Sequence, residues 1–143
     1  MVEIGPFDIE LVPKGSWNKN LHRLLSKSQW EKIRKRELER AGYKCEICGY
    51  EGKHLNCHEI WEYDDENKIQ RLVGYKILCP KCHLAYHLGF AMAIGKFNET
   101  IKWICKLSKL KKKEVMKLVD KVFENHTRRS QFEWTIDLSY EGL

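Results

Sequence analysis

The chain has 143 residues, 43% hydrophobic and 32% charged, with 26 Lys and Arg against 20 Asp and Glu for a formal charge of +6. A compact chain of this length buries roughly two-thirds of the surface its unfolded form exposes, so this composition supplies a core and excludes wholesale disorder. The longest run free of polar side chains, Leu88 to Gly95, falls far short of the ~20 residues of a spanning helix, which excludes a membrane segment.

Charge is distributed in blocks. Residues 1–13 carry −3, 14–44 carry +7, 45–95 carry −2, 96–129 carry +7 and the last fourteen carry −3. Two basic segments thus flank a slightly acidic centre, and such blocks attract phosphate backbones by releasing their bound counterions. The N-terminus, Met1 to Pro6, has neither the basic start nor the apolar stretch of a signal peptide. A cytoplasmic, reducing location is expected, where cysteines are thiols or metal ligands.

In chain order, Phe7, Ile9 and Leu11 alternate with Asp8 and Glu10 in the period of a strand. Ser28 to Gly42 predicts a helix. Ser28 and Glu31 have capping-box spacing, Trp30, Ile33, Leu38 and Ala41 share a face, and Gly42 suits the left-handed C-terminal position, with basic residues on the opposite face. Segments 54–62 and 69–78, rich in Ile, Leu, Val, Trp and Tyr, predict two antiparallel strands joined by the polar loop Asp64 to Lys68. Pro80 suits a first helical turn, and the run from there to Gly95 predicts one helix. A short helix is expected around 100–107. Val115, Leu118, Val119, Val122 and Phe123 predict an amphipathic helix over 110–127. Phe132, Trp134, Ile136, Leu138 and Tyr140 alternate with polar residues as a terminal strand, which is expected to pair with the N-terminal one. No repeat, low-complexity tract or linker divides the chain, so residues 1–143 are expected to form a single domain of the α+β class.

The six cysteines are unevenly spaced. Cys45 and Cys48 form one C-x-x-C and Cys79 and Cys82 another, while Cys57 and Cys105 stand alone. Two C-x-x-C turns present four thiolates at a span one tetrahedral ion can bridge, so these four are expected to be a structural zinc knuckle. A single pair would leave a redox dithiol open; two pairs separated by a hairpin's length of chain point to a metal. Of six histidines, His54, His58, His83 and His87 stand between or just beyond the knuckles. His83 and His87, one helical turn apart, can reach one ion, and zinc at the helix start would fix the orientation of both rings.

The string Cys45-x-x-Cys48, Leu55-Asn56-Cys57-His58-Glu59-Ile60, then Ile77-Leu78-Cys79-Pro80-Lys81-Cys82-His83-x-x-x-His87 resembles the HNH, or ββα-metal, endonucleases. It is similar to uncharacterised bacterial and phage proteins that carry this domain. The resemblance covers about residues 43–91, roughly a third of the chain. It implies a ββα-metal core with the four-cysteine zinc knuckle, flanked by an N-terminal helix within 1–42 and by helices and a terminal strand within 92–143. It also implies a metal-dependent endonuclease that hydrolyses phosphodiester bonds in nucleic acid, with double-stranded DNA the expected partner. His58 would be the general base that activates water. His83 and His87 would bind a second, catalytic divalent metal (Zn²⁺, Ni²⁺, Mn²⁺ or Mg²⁺), with Cys57 at the position of a further ligand.

Two positions depart from the family pattern. The middle Asn is replaced by Gly74, and the hard or imidazole ligand before the base is replaced by the soft Cys57. The alternative expectation is therefore a non-catalytic, zinc-stabilised module on the same scaffold that binds nucleic acid or protein. Glu59 is expected to face away from His58 towards the surface or the outer side of the site. Asp64, Asp65 and Glu66 are expected to be a solvated hairpin loop rather than a carboxylate metal site.

Overall fold

The computed structural model describes residues 1–143. It is a mixed α+β fold with six α-helices and two small sheets. No helix is long and apolar enough to cross a membrane.

The chain opens with strands β1 (Val2–Ile4) and β2 (Phe7–Ile9), paired antiparallel. Gly5 turns between them at φ +59°, and a Cβ there would lie 2.6 Å from the Ser108 Cα. The turn therefore needs glycine both for its backbone angle and for that contact. Val2, Ile4, Phe7 and Ile9 are all buried. This little hairpin is a core element, and the expected pairing of the two chain ends does not form.

Helix α1 (Leu21–Leu24) precedes helix α2 (Lys27–Arg40). The capping box of α2 uses Ser26 and Gln29, two residues ahead of the expected Ser28 and Glu31: Gln29 N–H donates to Ser26 Oγ and Ser26 N–H to Gln29 Oε1. At its other end the expected Gly42 takes φ +66°, with Gly42 N–H bonded to Glu39 O and Tyr43 N–H to Leu38 O. That double closure is the Schellman arrangement. The polar face of α2 is largely consumed by structure. Arg36 holds Glu141 through two hydrogen bonds, Arg40 holds Glu37 and Glu46, and Arg34 donates to Leu55 O.

Strands β3 (Asn56–Asp64) and β4 (Ile69–Leu78) form the expected hairpin. The Asp64 carboxylate accepts from Glu66 N–H, Asn67 N–H and the Asn67 side-chain amide, which closes the turn. Asp65 is taken by Arg129, so this acidic loop is a turn and an ion pair. A register shift sits where Ile60 faces Gly74 and Trp61 faces Leu72. The terminal strand β5 (Thr135–Asp137) lies parallel to β4 at Ile69–Arg71, giving the order β3-β4-β5.

After β4 the expected single helix is two: α3 (Pro80–Tyr86) and α4 (Leu88–Ala93), with His87 between them at φ −125°, ψ 59°. His87 N–H reaches back to Leu84 O, which tightens the end of α3 before the chain turns. Helices α5 (Phe97–Ser108) and α6 (Lys112–Arg129) follow. The main core joins the N-terminal hairpin to Ile77, Leu78 and Ala85 and to Ile101, Ile104, Val115, Val119 and Val122 of α5 and α6. A second cluster, Leu21, Ile33, Trp61, Leu72 and Tyr75, lies under α2. The β3–β4 hairpin is gripped between the two, and this position is what presents its edge to α3 and α4.

Candidate functional site

The four paired cysteines come together, with their sulfurs within 4.8 Å of one another. Cys48 Sγ and Cys79 Sγ are 3.6 Å apart, close to the ~3.8 Å expected for two thiolates on one tetrahedral ion with metal–sulfur bonds of about 2.3 Å. The local folding explains the approach. Glu46 N–H donates to Ile77 O, and Ile77 N–H donates to the Glu46 carboxylate at 2.7 Å, so the first C-x-x-C is sewn to the strand that leads into the second. Cys79 caps α3 and accepts the Cys82 N–H, and Trp103 of α5 donates its indole N–H to Cys82 Sγ at 3.3 Å. All six cysteines are free.

The thiols differ electrostatically. Burial pushes Cys45 up, but the backbone N–H groups of Cys48, Cys79 and Ile47 outweigh it and bring the thiol down to about 7. Burial holds Cys79 and Cys82 above the usual thiol range, and a Cys45 thiolate nearby reinforces both shifts. Four thiolates cannot share this space without a cation, and the donor set fits one that prefers sulfur.

The second cluster is imidazole. Ligand nitrogens of His58, His83 and His87 also lie within 4.8 Å of one another. His83 Nε2 and His87 Nε2 are 2.9 Å apart, and the His58 ring is centred 5.5 Å from His83 and 5.1 Å from His87. A hydrogen bond between the first pair needs one ring to be protonated at that nitrogen; a shared cation would need both lone pairs. The four-cysteine cluster sets up this convergence, because Cys82 and His83 are adjacent in one turn of α3 and His83 N–H bonds to Cys79 O. Burial holds all three imidazoles below their usual range, with His83 down to about 3, and each positive charge would further disfavour its neighbours. Neutral rings with free lone pairs are what metal ligation and proton abstraction require.

Cys57 does not join this group. It lines the same cleft, but it precedes His58 on β3, its side chain lies beside Glu37 of α2, and its sulfur is not among the converging ligand atoms. There burial, with Glu37 and Glu59 nearby, pushes its thiol up to about 12. Glu59 is not a surface residue either. Its carboxylate accepts the Leu21 N–H at 3.0 Å, and burial raises it from 4.5 to about 7. Because the folded state holds this proton to higher pH than the unfolded chain, Glu59 favours folding below about pH 4.5 and loses that contribution as pH rises through 7. Wild type should therefore lose stability relative to Glu59→Gln across this window, which thermal melts at acidic and neutral pH would show. Gly74 lies on the His58 face of the hairpin, two residue pairs from His58, and a Cβ there would meet no atom within 4 Å.

A cleft of about 740 Å³ opens on the imidazoles. Sequence gave no warning of its other walls: Trp17, His22, Phe90 and His126 come from four distant segments. The His126 ring stacks on Trp17 with centroids 6.3 Å apart. On another part of the surface, Lys102, Lys106, Lys109, Lys111, Lys112, Lys113 and Lys117 are exposed around α5 and α6. Lys81 and Lys106 both lie over the Trp103 ring.

The chain matches no protein-family model, no curated protein and no solved structure.

Proposed function

We propose that this protein is a metal-dependent endonuclease of the ββα-metal type, with β3, β4 and α3 as the core unit and Cys45, Cys48, Cys79 and Cys82 holding a structural zinc. The convergence of His58, His83 and His87 at one cleft carries this reading, since a purely structural zinc module has no use for three neutral imidazoles beside a 740 Å³ opening. His83 and His87 would hold a second divalent metal. When bound, such an ion would supply positive charge near the leaving oxygen of a phosphodiester. His58 would accept the proton of the attacking water. Burial keeps its proton affinity low, and an anionic phosphodiester beside it would raise that affinity towards neutrality, where a base works best. Lys76, which faces His58 across the ladder and lines the same recess, adds positive charge for the phosphate.

The experiment is incubation of the purified protein with plasmid DNA and with single-stranded DNA in the presence of a series of divalent metals. Nicking or linearisation that depends on an added metal is expected; no cleavage with any metal would refute the nuclease reading. The exposed lysines of α5 and α6 would carry the backbone contacts. Affinity for duplex DNA should fall steeply between low and physiological salt, as counterion release requires. A flat salt dependence in a binding titration would remove that surface from the account. The α2 arginines are expected to contribute little, because Arg36 and Arg40 are committed to carboxylates.

A second reading, a binding module without cleavage, is favoured by Gly74 and by the Cys57 thiol, whose sulfur is not among the converging ligand atoms. It predicts the same salt dependence with no cut product.

A further inference from the structure

The cleft is larger than a phosphate and a water need, and its polar chemistry is unfinished. Gln70 of β4 and Ser16, 1% and 2% exposed, both line it. Gln70 Oε1 and Ser16 Oγ are buried without any hydrogen-bond partner. Buried polar atoms left unpaired cost free energy that only a partner recovers. Gln70 faces Tyr63 across the ladder, whose hydroxyl is likewise buried without a partner, and the next pair on this face buries Leu72 and Trp61. At the rim, Trp17 and Phe90 are 57% and 59% exposed, two large aromatics offered to solvent by separate elements. Lys19 lines the same cleft.

A partner for this surface must have a flat apolar face, an edge with N–H donors for a side-chain carbonyl and a hydroxyl, and negative charge close by. We infer that the cleft receives one unstacked nucleobase next to the phosphate presented to His58, so that the preferred substrate is a single-stranded or locally opened nucleic acid. The inference rests on the nucleic-acid reading above and adds which form of the strand is taken. Bases stack on aromatic side chains whatever their identity, and each has N–H or acceptor groups on its Watson–Crick edge. The Gln70 amide can meet a donor and acceptor pair on such an edge, and the cleft volume lies in the range of sites that enclose a small ligand.

The test compares two labelled DNA strands of about twelve nucleotides, one with its bases and one abasic along its length, which keeps every phosphate. Binding is read by fluorescence anisotropy on the full chain carrying His58→Ala, so that the strands stay intact. Base-bearing DNA should bind about tenfold more tightly than abasic DNA. Gln70→Met and Phe90→Ala should each lose most of that preference and leave abasic affinity unchanged. Gln70→Met should melt no lower than the parent, because it removes an unpaired buried amide. Phe90 is exposed, so its replacement does not depend on the core. Equal, salt-sensitive affinity for the two strands would overturn the base site while leaving the nuclease reading in place. So would a preference that survives both substitutions. Binding to neither strand would overturn both readings.

Discussion

Cys79→Ser should yield a protein that lacks its zinc and does not hold its fold, whereas the wild-type chain should carry one tightly bound zinc. Cys79 occupies three structural positions at once. It caps α3, its sulfur lies 3.6 Å from Cys48 Sγ, and its carbonyl accepts the His83 N–H. Structural zinc sites in small folds contribute on the order of 10–16 kcal/mol of apparent binding free energy, comparable to or larger than the whole stability of a domain. Serine keeps the cap but is a poor zinc ligand, so the loss falls on the metal. Elemental analysis of the purified wild type, with chemical denaturation of both proteins, measures it. A wild type without zinc, or a variant as stable as wild type, would overturn the assignment of the knuckle.

His58→Ala should reduce cleavage by about 10² to 10⁴, the usual contribution of a positioned acid or base, and leave DNA affinity and the structural zinc nearly unchanged. The side chain is on β3, outside the four-cysteine cluster, with its ring beside those of His83, His87 and Tyr86. His83→Ala should fail differently, by weakening the hold on the catalytic metal, so that raising metal concentration restores part of its activity. Single-turnover cleavage across a metal titration separates the two. Equal activity in wild type and His58→Ala would refute the base assignment, and an identical metal dependence in His58→Ala and His83→Ala would refute the division of roles.

Much of the arrangement was legible along the chain because it is local. The β3–β4 hairpin could be read from two apolar runs around Asp64 to Lys68, and the structure adds only the side-chain bonds that close the turn. Gly42 announced the end of α2 because only a left-handed residue completes that closure. The start of α2 was misplaced by two residues, since Ser26 with Gln29 and Ser28 with Glu31 are equally good capping boxes on paper. The break at His87 left no mark in composition. Apolar residues stand on both sides of it, and α3 closes there through the His87 N–H bond to Leu84 O.

The two C-x-x-C turns and the placement of His83 after the second pointed, by sequence alone, to four thiols meeting at a helix start, and the Glu46–Ile77 bonds bring the two turns together. Short-range covalent geometry leaves little choice about which way those side chains point. The tertiary structure alone decided the rest. Cys57 faces α2 because strand residues alternate and both sides of β3 are covered. The N-terminal hairpin is buried beneath α6 instead of pairing with β5: Val2, Ile4, Phe7 and Ile9 join the main core, whose burial of apolar surface favours folding, while β5 pairs with β4. The cleft is assembled from Ser16, Trp17, Gln70, Phe90 and His126, residues so far apart in sequence that no pattern links them. Only the packing of helices against both faces of the hairpin brings them to one place.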